Sequence, residues 1–184
     1  GLNSKFPADG IPREFQLLLP ESLETARPLF VGLTGTAAEE LDFASEARSG
    51  ISSLTKDGWI VVVPYRRCTS EGRPCAGIGP QGSNDGRFWE PWYDGEFVQS
   101  NDEGPDVRFI ESIVRCVASA YPVDRRRIYS GGISAGGTLT HRNLMFNSDF
   151  FAGGVSASGN YRYLGKLPVE PKDPRIMSDT IVVL

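Results

Sequence analysis

Gly132-Ile-Ser-Ala-Gly136 places a serine between two glycines, each two positions away, in the pattern Gly-x-Ser-x-Gly. That spacing suits a sharp turn from a strand into a helix, where the backbone on either side of the serine passes too close to its neighbours for a larger residue. Such a turn holds the Ser134 hydroxyl at its apex. The helix that starts at Ala135 then points unsatisfied backbone N–H groups, and the positive end of its dipole, at the same spot. A hydroxyl nucleophile beside N–H donors for an oxyanion is the equipment of acyl transfer. In a chain with 21 glycines the bare pattern arises by chance often enough that its flanks must decide. Ile128 and Tyr129 supply a strand before it, and Thr138, Leu139, Leu144 and Met145 fit a helix packed on a sheet after it. The plain alternative, a glycine-rich turn with an incidental serine, leaves those flanks unexplained.

A serine nucleophile needs a base. The single histidine, His141, lies seven residues into the helix. At about 1.5 Å per residue that is roughly 10 Å along the axis, too far to serve Ser134. His141 is therefore read as a packing or helix-surface residue. Three cysteines and one histidine, in no ligand spacing, argue against a metal site, and no cofactor is expected. Cys68 and Cys75 flank a short loop and can close a disulfide, which would suit a secreted or periplasmic protein; free thiols and the cytoplasm stay open. Gly77-Ile-Gly-Pro-Gln-Gly82 matches Gly-x-Gly-x-x-Gly, but it follows no strand directly, contains a proline and opens no helix. A dinucleotide site is not expected there.

The elements that must position Ser134 come in alternation. Residues 13–19 read as a strand stopped by Pro20. Residues 28–33 and 59–64 are apolar runs too continuous for half-exposed strands, as expected of a parallel sheet covered on both faces. Between them, residues from about 45 to 56 are compatible with a helix, with Gly58 as its stop. Residues 106–121 carry the best amphipathic pattern, with Val107, Ile110, Ile113, Val114 and Val117 at helical spacing and Pro122 ending the run. Asp106 at its start reads as structural, since a carboxylate there suits both cap and dipole. The turn follows, then a strand near 150–159 and a last one at 180–184. The expectation is one α/β domain, a doubly wound and mostly parallel sheet. Residues 65–105 form a long loop region, and loops of that length are usually functional. Its aromatics Phe88, Trp89, Trp92 and Tyr93 either line a substrate pocket, with Trp89 and Trp92 foremost, or cover the sheet edge.

The whole is 184 residues and 40% hydrophobic, enough for one real core. A net charge of −4 and a pI near 5.1 speak against a nucleic-acid partner. The run Arg125-Arg126-Arg127 is too short to alter this and reads as a solvated strand entry. No apolar run reaches the roughly 20 residues of a membrane span, so none is expected. The first residues show no charged region followed by an apolar one, as a signal peptide would; a trimmed secreted protein would look the same.

In order and spacing these blocks resemble the α/β-hydrolases of the polyhydroxybutyrate depolymerase and feruloyl esterase type, from about residue 13 to 184. The resemblance rests on Pro28-Leu-Phe-Val-Gly-Leu-Thr-Gly35, Gly58-Trp-Ile-Val-Val-Val-Pro64, Asp106-Val-Arg-Phe109 and Val123-Asp124 leading into Arg127-Ile-Tyr129. It continues through Gly132-Ile-Ser-Ala-Gly-Gly137 and Phe151-Ala-Gly-Gly-Val-Ser-Ala-Ser-Gly159. It implies a serine esterase in which Ser134 forms an acyl-enzyme and the backbone N–H groups of Ala135 and Thr36 form the oxyanion hole. A small ester or polyester is the implied substrate. Thr34 stands where the family usually has a histidine, which bears on loop support more than on backbone donors. The family's triad aspartate and histidine fall beyond the strand matching 180–184. The resemblance therefore implies an N-terminal portion, its sheet incomplete at the C-terminal edge, with acid and base on residues outside this chain or on a companion polypeptide. The competing readings are a noncatalytic binding module on the same fold, and a structural domain that docks a partner strand.

Overall fold

A computed structural model describes residues 1–8, 11–35, 43–44, 50–68, 87–89 and 104–159. Its centre is a six-stranded sheet. The strands, in chain order, are β1 (Leu2–Ala8), β2 (Ile11–Leu18), β3 (Arg27–Leu33), β4 (Ile60–Pro64), two short segments β5 (Arg67–Cys68) and β6 (Arg87–Phe88), β7 (Val123–Ile133) and β8 (Gly153–Ala157). Two helices, α1 (Pro105–Ala120) and α2 (Ala135–Phe146), flank β7 in sequence. The sheet order is β1-β2-β4-β3-β7-β8, with β5 and β6 pairing separately. Pairings β1–β2 and β2–β4 are antiparallel; β4–β3, β3–β7 and β7–β8 are parallel.

The apolar runs lie in the middle of this sheet, as their composition requires. Leu29, Val31 and Leu33 of β3 are fully buried, and so is every residue of β4. Alternation along β4 splits its side chains between two cores. Ile60 and Val62 join Val107, Ile110, Ile113, Val114 and Val117 of α1 and Leu139 of α2 on one face. Val61 and Val63 face the other side, against Ala44, Phe30, Phe43, Ile51 and Leu54. The sheet is thus covered on both faces, the arrangement expected of parallel strands with no polar side.

Two elements differ from expectation. β1 has no apolar run to announce it: it is an edge strand whose Leu2 is exposed, whose Ala8 is buried in the main core and whose Phe6 packs against that core, edge-on to Phe15 at 5.4 Å. Of the helix expected from about 45 to 56, residues 45–49 lie outside the described residues; Ile51–Thr55 form a five-residue 3-10 helix, and Phe43 and Ala44 are helical. Gly58 follows with φ 82°, the left-handed stop expected there. At α1 the cap is Gly104, followed by Pro105, so Asp106 does not cap. The strand expected at 180–184, the Cys68–Cys75 pairing and the glycine-rich loop at 77–82 lie outside the described residues. The arginines of 125–127 are exposed, with Arg127 donating to Asp124 at 2.8 Å.

Asp106 is structural in another way. Its carboxylate is buried and accepts from Arg13 of β2 at 2.6 Å. Arg13 also donates to the Tyr65 carbonyl at 3.2 Å and stacks on the Phe109 ring at 4.2 Å. One guanidinium therefore ties together β2, the end of β4 and the first turn of α1. Removing one partner of a buried pair strands the other charge, so Asp106→Ala is expected to cost about 3–5 kcal/mol in denaturant unfolding. Replacing both, as Arg13→Met with Asp106→Leu, is expected to recover most of that loss; equal destabilisation by the double variant would show that the charge is not the cause.

Candidate active site

The end of β7 turns into α2 at Ser134. Its φ of 54° and ψ of −118° are a backbone conformation that residues with a Cβ rarely adopt. Surrounding bonds hold it there. The Ser134 N–H donates to the Ala157 carbonyl at the end of β8, at 2.8 Å, and the Thr138 N–H closes the first helical bond onto the Ser134 carbonyl at 3.0 Å. The Ser134 side chain is exposed, while Ala135 is buried. As the first residue of α2, Ala135 carries one of the N–H groups that no helix carbonyl can satisfy. The helix N-terminus and its dipole therefore face the space above the serine.

The glycines are required by close approach. A Cβ on Gly132 would lie 2.6 Å from the Gly136 carbonyl carbon and 2.7 Å from the Leu33 oxygen. A Cβ on Gly136 would lie 2.6 Å from both the Leu33 carbonyl carbon and the Thr34 oxygen. The strand, the helix and the end of β3 meet there backbone to backbone.

The register of β3 beside β7 brings the second half of the site into contact. Leu33 pairs with Gly132, so the chain leaving β3 runs directly past the turn. A Cβ on Gly35 would lie 3.4 Å from Ser134 Cβ and 3.2 Å from the Ile133 oxygen. Thr34 is fully buried, and its carbonyl accepts a hydrogen bond from the Trp89 indole N–H at 2.8 Å. Trp89 is itself 1% exposed and belongs to the main core. That contact across 55 residues leaves no trace in periodicity; the only hint is a tryptophan in a long loop. Thr36 and Trp92 lie outside the described residues.

His141 is buried in α2, and burial pushes its imidazole below the usual histidine range, toward the neutral form. It is a packing histidine, well along the helix from the serine. Among the described residues no group of three or more His, Cys, Asp or Glu side chains can hold a metal ion, and no helix is long and apolar enough to cross a membrane.

No protein-family model matches the chain. Over 173 residues it is 38% identical to an oxidized polyvinyl alcohol hydrolase of a Pseudomonas species, a match covering 88% of this chain and 45% of that protein. The native crystal structure of sOPH superposes with a TM-score of 0.70 at 36% identity, covering 88% of this chain and 51% of that one. The fold is that of the α/β-hydrolases. An acetyl xylan esterase from Aspergillus awamori shares it at a TM-score of 0.64 and 16% identity, over 94% of this chain and 57% of that chain. The chain spans about half the length of the curated relatives it matches.

Two outcomes follow from this α/β-hydrolase turn. Gly136→Ala forces backbone apart and is expected to destabilise by about 1–3 kcal/mol or more in urea unfolding. Gly153→Ala, whose added methyl finds only the Tyr129 ring at 3.8 Å, serves as the near-neutral control. Because burial lowers the His141 pKa on folding, protonation favours the unfolded chain. Its contribution to stability is complete above the ordinary histidine pKa and is lost as pH falls from there toward its lowered folded value. His141→Gln should therefore flatten the fall of the urea midpoint between about pH 6.5 and pH 5, the range below the unperturbed histidine pKa; an unchanged slope would assign that fall to other groups.

Proposed function

We propose that this chain carries the nucleophile and oxyanion apparatus of a serine-dependent carboxylic ester hydrolase. The observation that carries the proposal is Ser134 itself: exposed, held at positive φ on a helix N-terminus, with the backbone leaving β3 packed against its Cβ. Ser134 Oγ attacks the ester carbonyl carbon while its proton passes to a base. The oxyanion rests on the Ala135 N–H and on that of Thr36. Collapse expels the alcohol, leaving an acyl-enzyme, and water releases the acid by the same steps. An esterase and a polymer hydrolase among the proteins of this fold support the assignment to hydrolysis of an acyl bond.

The only histidine in the chain is the buried His141. The proposal therefore assigns the general base and its orienting carboxylate to residues outside this chain, or to a companion polypeptide that assembles with it. Small esters and polyesters are the substrates to test first. Oxidized polyvinyl alcohol, for which the 38% identical relatives are named, is the next.

The test is treatment of the native protein, with any polypeptide that accompanies it, with a fluorophosphonate, followed by intact-mass and peptide analysis. A single adduct on Ser134, and loss of ester turnover by at least about a thousandfold in Ser134→Ala, is the expected result. A native preparation that neither reacts nor turns over esters would instead identify a noncatalytic binding module on the same fold.

A further inference from the structure

We propose that Trp89 is a positioning residue that fixes the polarity of the oxyanion loop. The inference rests on the acyl-transfer reading of Ser134. The Thr34 carbonyl oxygen is wedged between two groups: the Trp89 indole N–H, 2.8 Å away, and Gly136 at the start of α2, where an added Cβ would sit 2.6 Å from it. No peptide bond among the described residues is cis. In the planar trans unit joining Thr34 to Gly35, the carbonyl and the Gly35 N–H therefore point in opposite directions. Anchoring the oxygen on the indole turns the Gly35 N–H to the other side.

Gly35 makes this control necessary. A peptide followed by glycine can rotate through roughly half a turn at little steric cost, since glycine accepts positive and negative φ alike. Gly35 is also near enough to the serine that an added Cβ would sit 3.4 Å from Ser134 Cβ, so rotation there would replace an N–H dipole near the serine with a carbonyl oxygen, which repels an oxyanion. Trp89 opposes that rotation because both partners of its hydrogen bond are buried. Releasing the Thr34 carbonyl would leave it unpaired away from solvent, and would strand the indole N–H as well. Tryptophan suits this role because its ring system fills the core while its one donor reaches out of it.

The mechanism predicts a particular pattern for Trp89→Phe, which keeps an aromatic ring and loses the donor. Ester turnover should fall about ten- to a hundredfold in kcat, less than deletion of an oxyanion donor, because the loop is misdirected rather than removed. KM should stay within about twofold, since the contribution is made in the transition state. Fluorophosphonate labelling of Ser134 should slow by a similar factor. Wild-type rates in a folded Trp89→Phe protein would overturn the positioning role while leaving the serine mechanism intact. A wild-type protein that does not react at all would remove the reading beneath it, and the inference with it.

If Trp89→Phe does not fold, the wild-type protein gives the answer by nuclear magnetic resonance. The three tryptophans give three indole N–H signals, and Trp59→Phe and Trp92→Phe identify the third by elimination. The Trp89 signal should exchange slowly with deuterium and shift when Ser134 is phosphonylated. Rapid exchange, or no shift on modification, would overturn the proposal.

Discussion

Three stretches of backbone converge beneath Ser134 with no side chain to separate them: the end of β3, the end of β7 and the first turn of α2. Everything distinctive about the site depends on that convergence. The helix sits low enough for its free N–H groups to face the serine because Gly132 and Gly136 remove the two Cβ atoms that would lift it. The same closeness brings the Leu33 and Thr34 carbonyls against the helix start, so the loop after β3 is placed by contact with the turn. Ser134 accepts an unfavourable φ because its N–H and carbonyl are both engaged, by β8 and by the helix respectively. The strain is local, and its hydrogen-bond restraints come from β8 and α2.

The helix beneath the serine is unusual in being buried along nearly its whole length, polar residues included. Thr138, Thr140, His141, Arg142 and Asn143 are all shielded from solvent. Some of their needs are met within reach. Thr140 Oγ1 donates to the Gly136 carbonyl at 2.9 Å, Asn143 touches Ser130 Oγ at 3.5 Å, and Arg142 lies over the Phe146 ring at 5.3 Å. Buried polar groups specify orientation more sharply than apolar ones, since rotation breaks bonds rather than trading one contact for another. A helix that must aim its N-terminus within a fraction of an ångström benefits from that restriction.

How much of this is legible in the sequence follows from how local each signal is. The buried strands β3 and β4 and the amphipathic α1 declare themselves in runs of neighbouring residues. So does the turn, whose spacing constraint is contained within five positions. β1 escapes such a reading because an exposed edge strand needs little apolar content, and its pairing with β2 is what defines it. Asp106 is structural, as its position suggests, but for a different partner: nothing near it in sequence reveals Arg13, 93 residues away. Trp89 stands out only as an aromatic residue in a loop, because a hydrogen bond from its ring to a backbone carbonyl leaves no pattern to read.

The neighbouring positions of β3 and β7 in the sheet also bear on synthesis. Leu33 and Val123 are separated by 90 residues, all of which must leave the ribosome before the two strands can pair. At about 5–20 residues per second, β3 waits roughly 5–20 s with one flank bare. β4 covers the other flank earlier, since it begins at residue 60. During that interval the nascent chain displays Leu29, Val31 and Leu33 along an unpaired edge, a surface that invites another chain to pair with it. The register that sets the chain leaving β3 beside Ser134 thus also leaves that strand paired on one side only until β7 has been made.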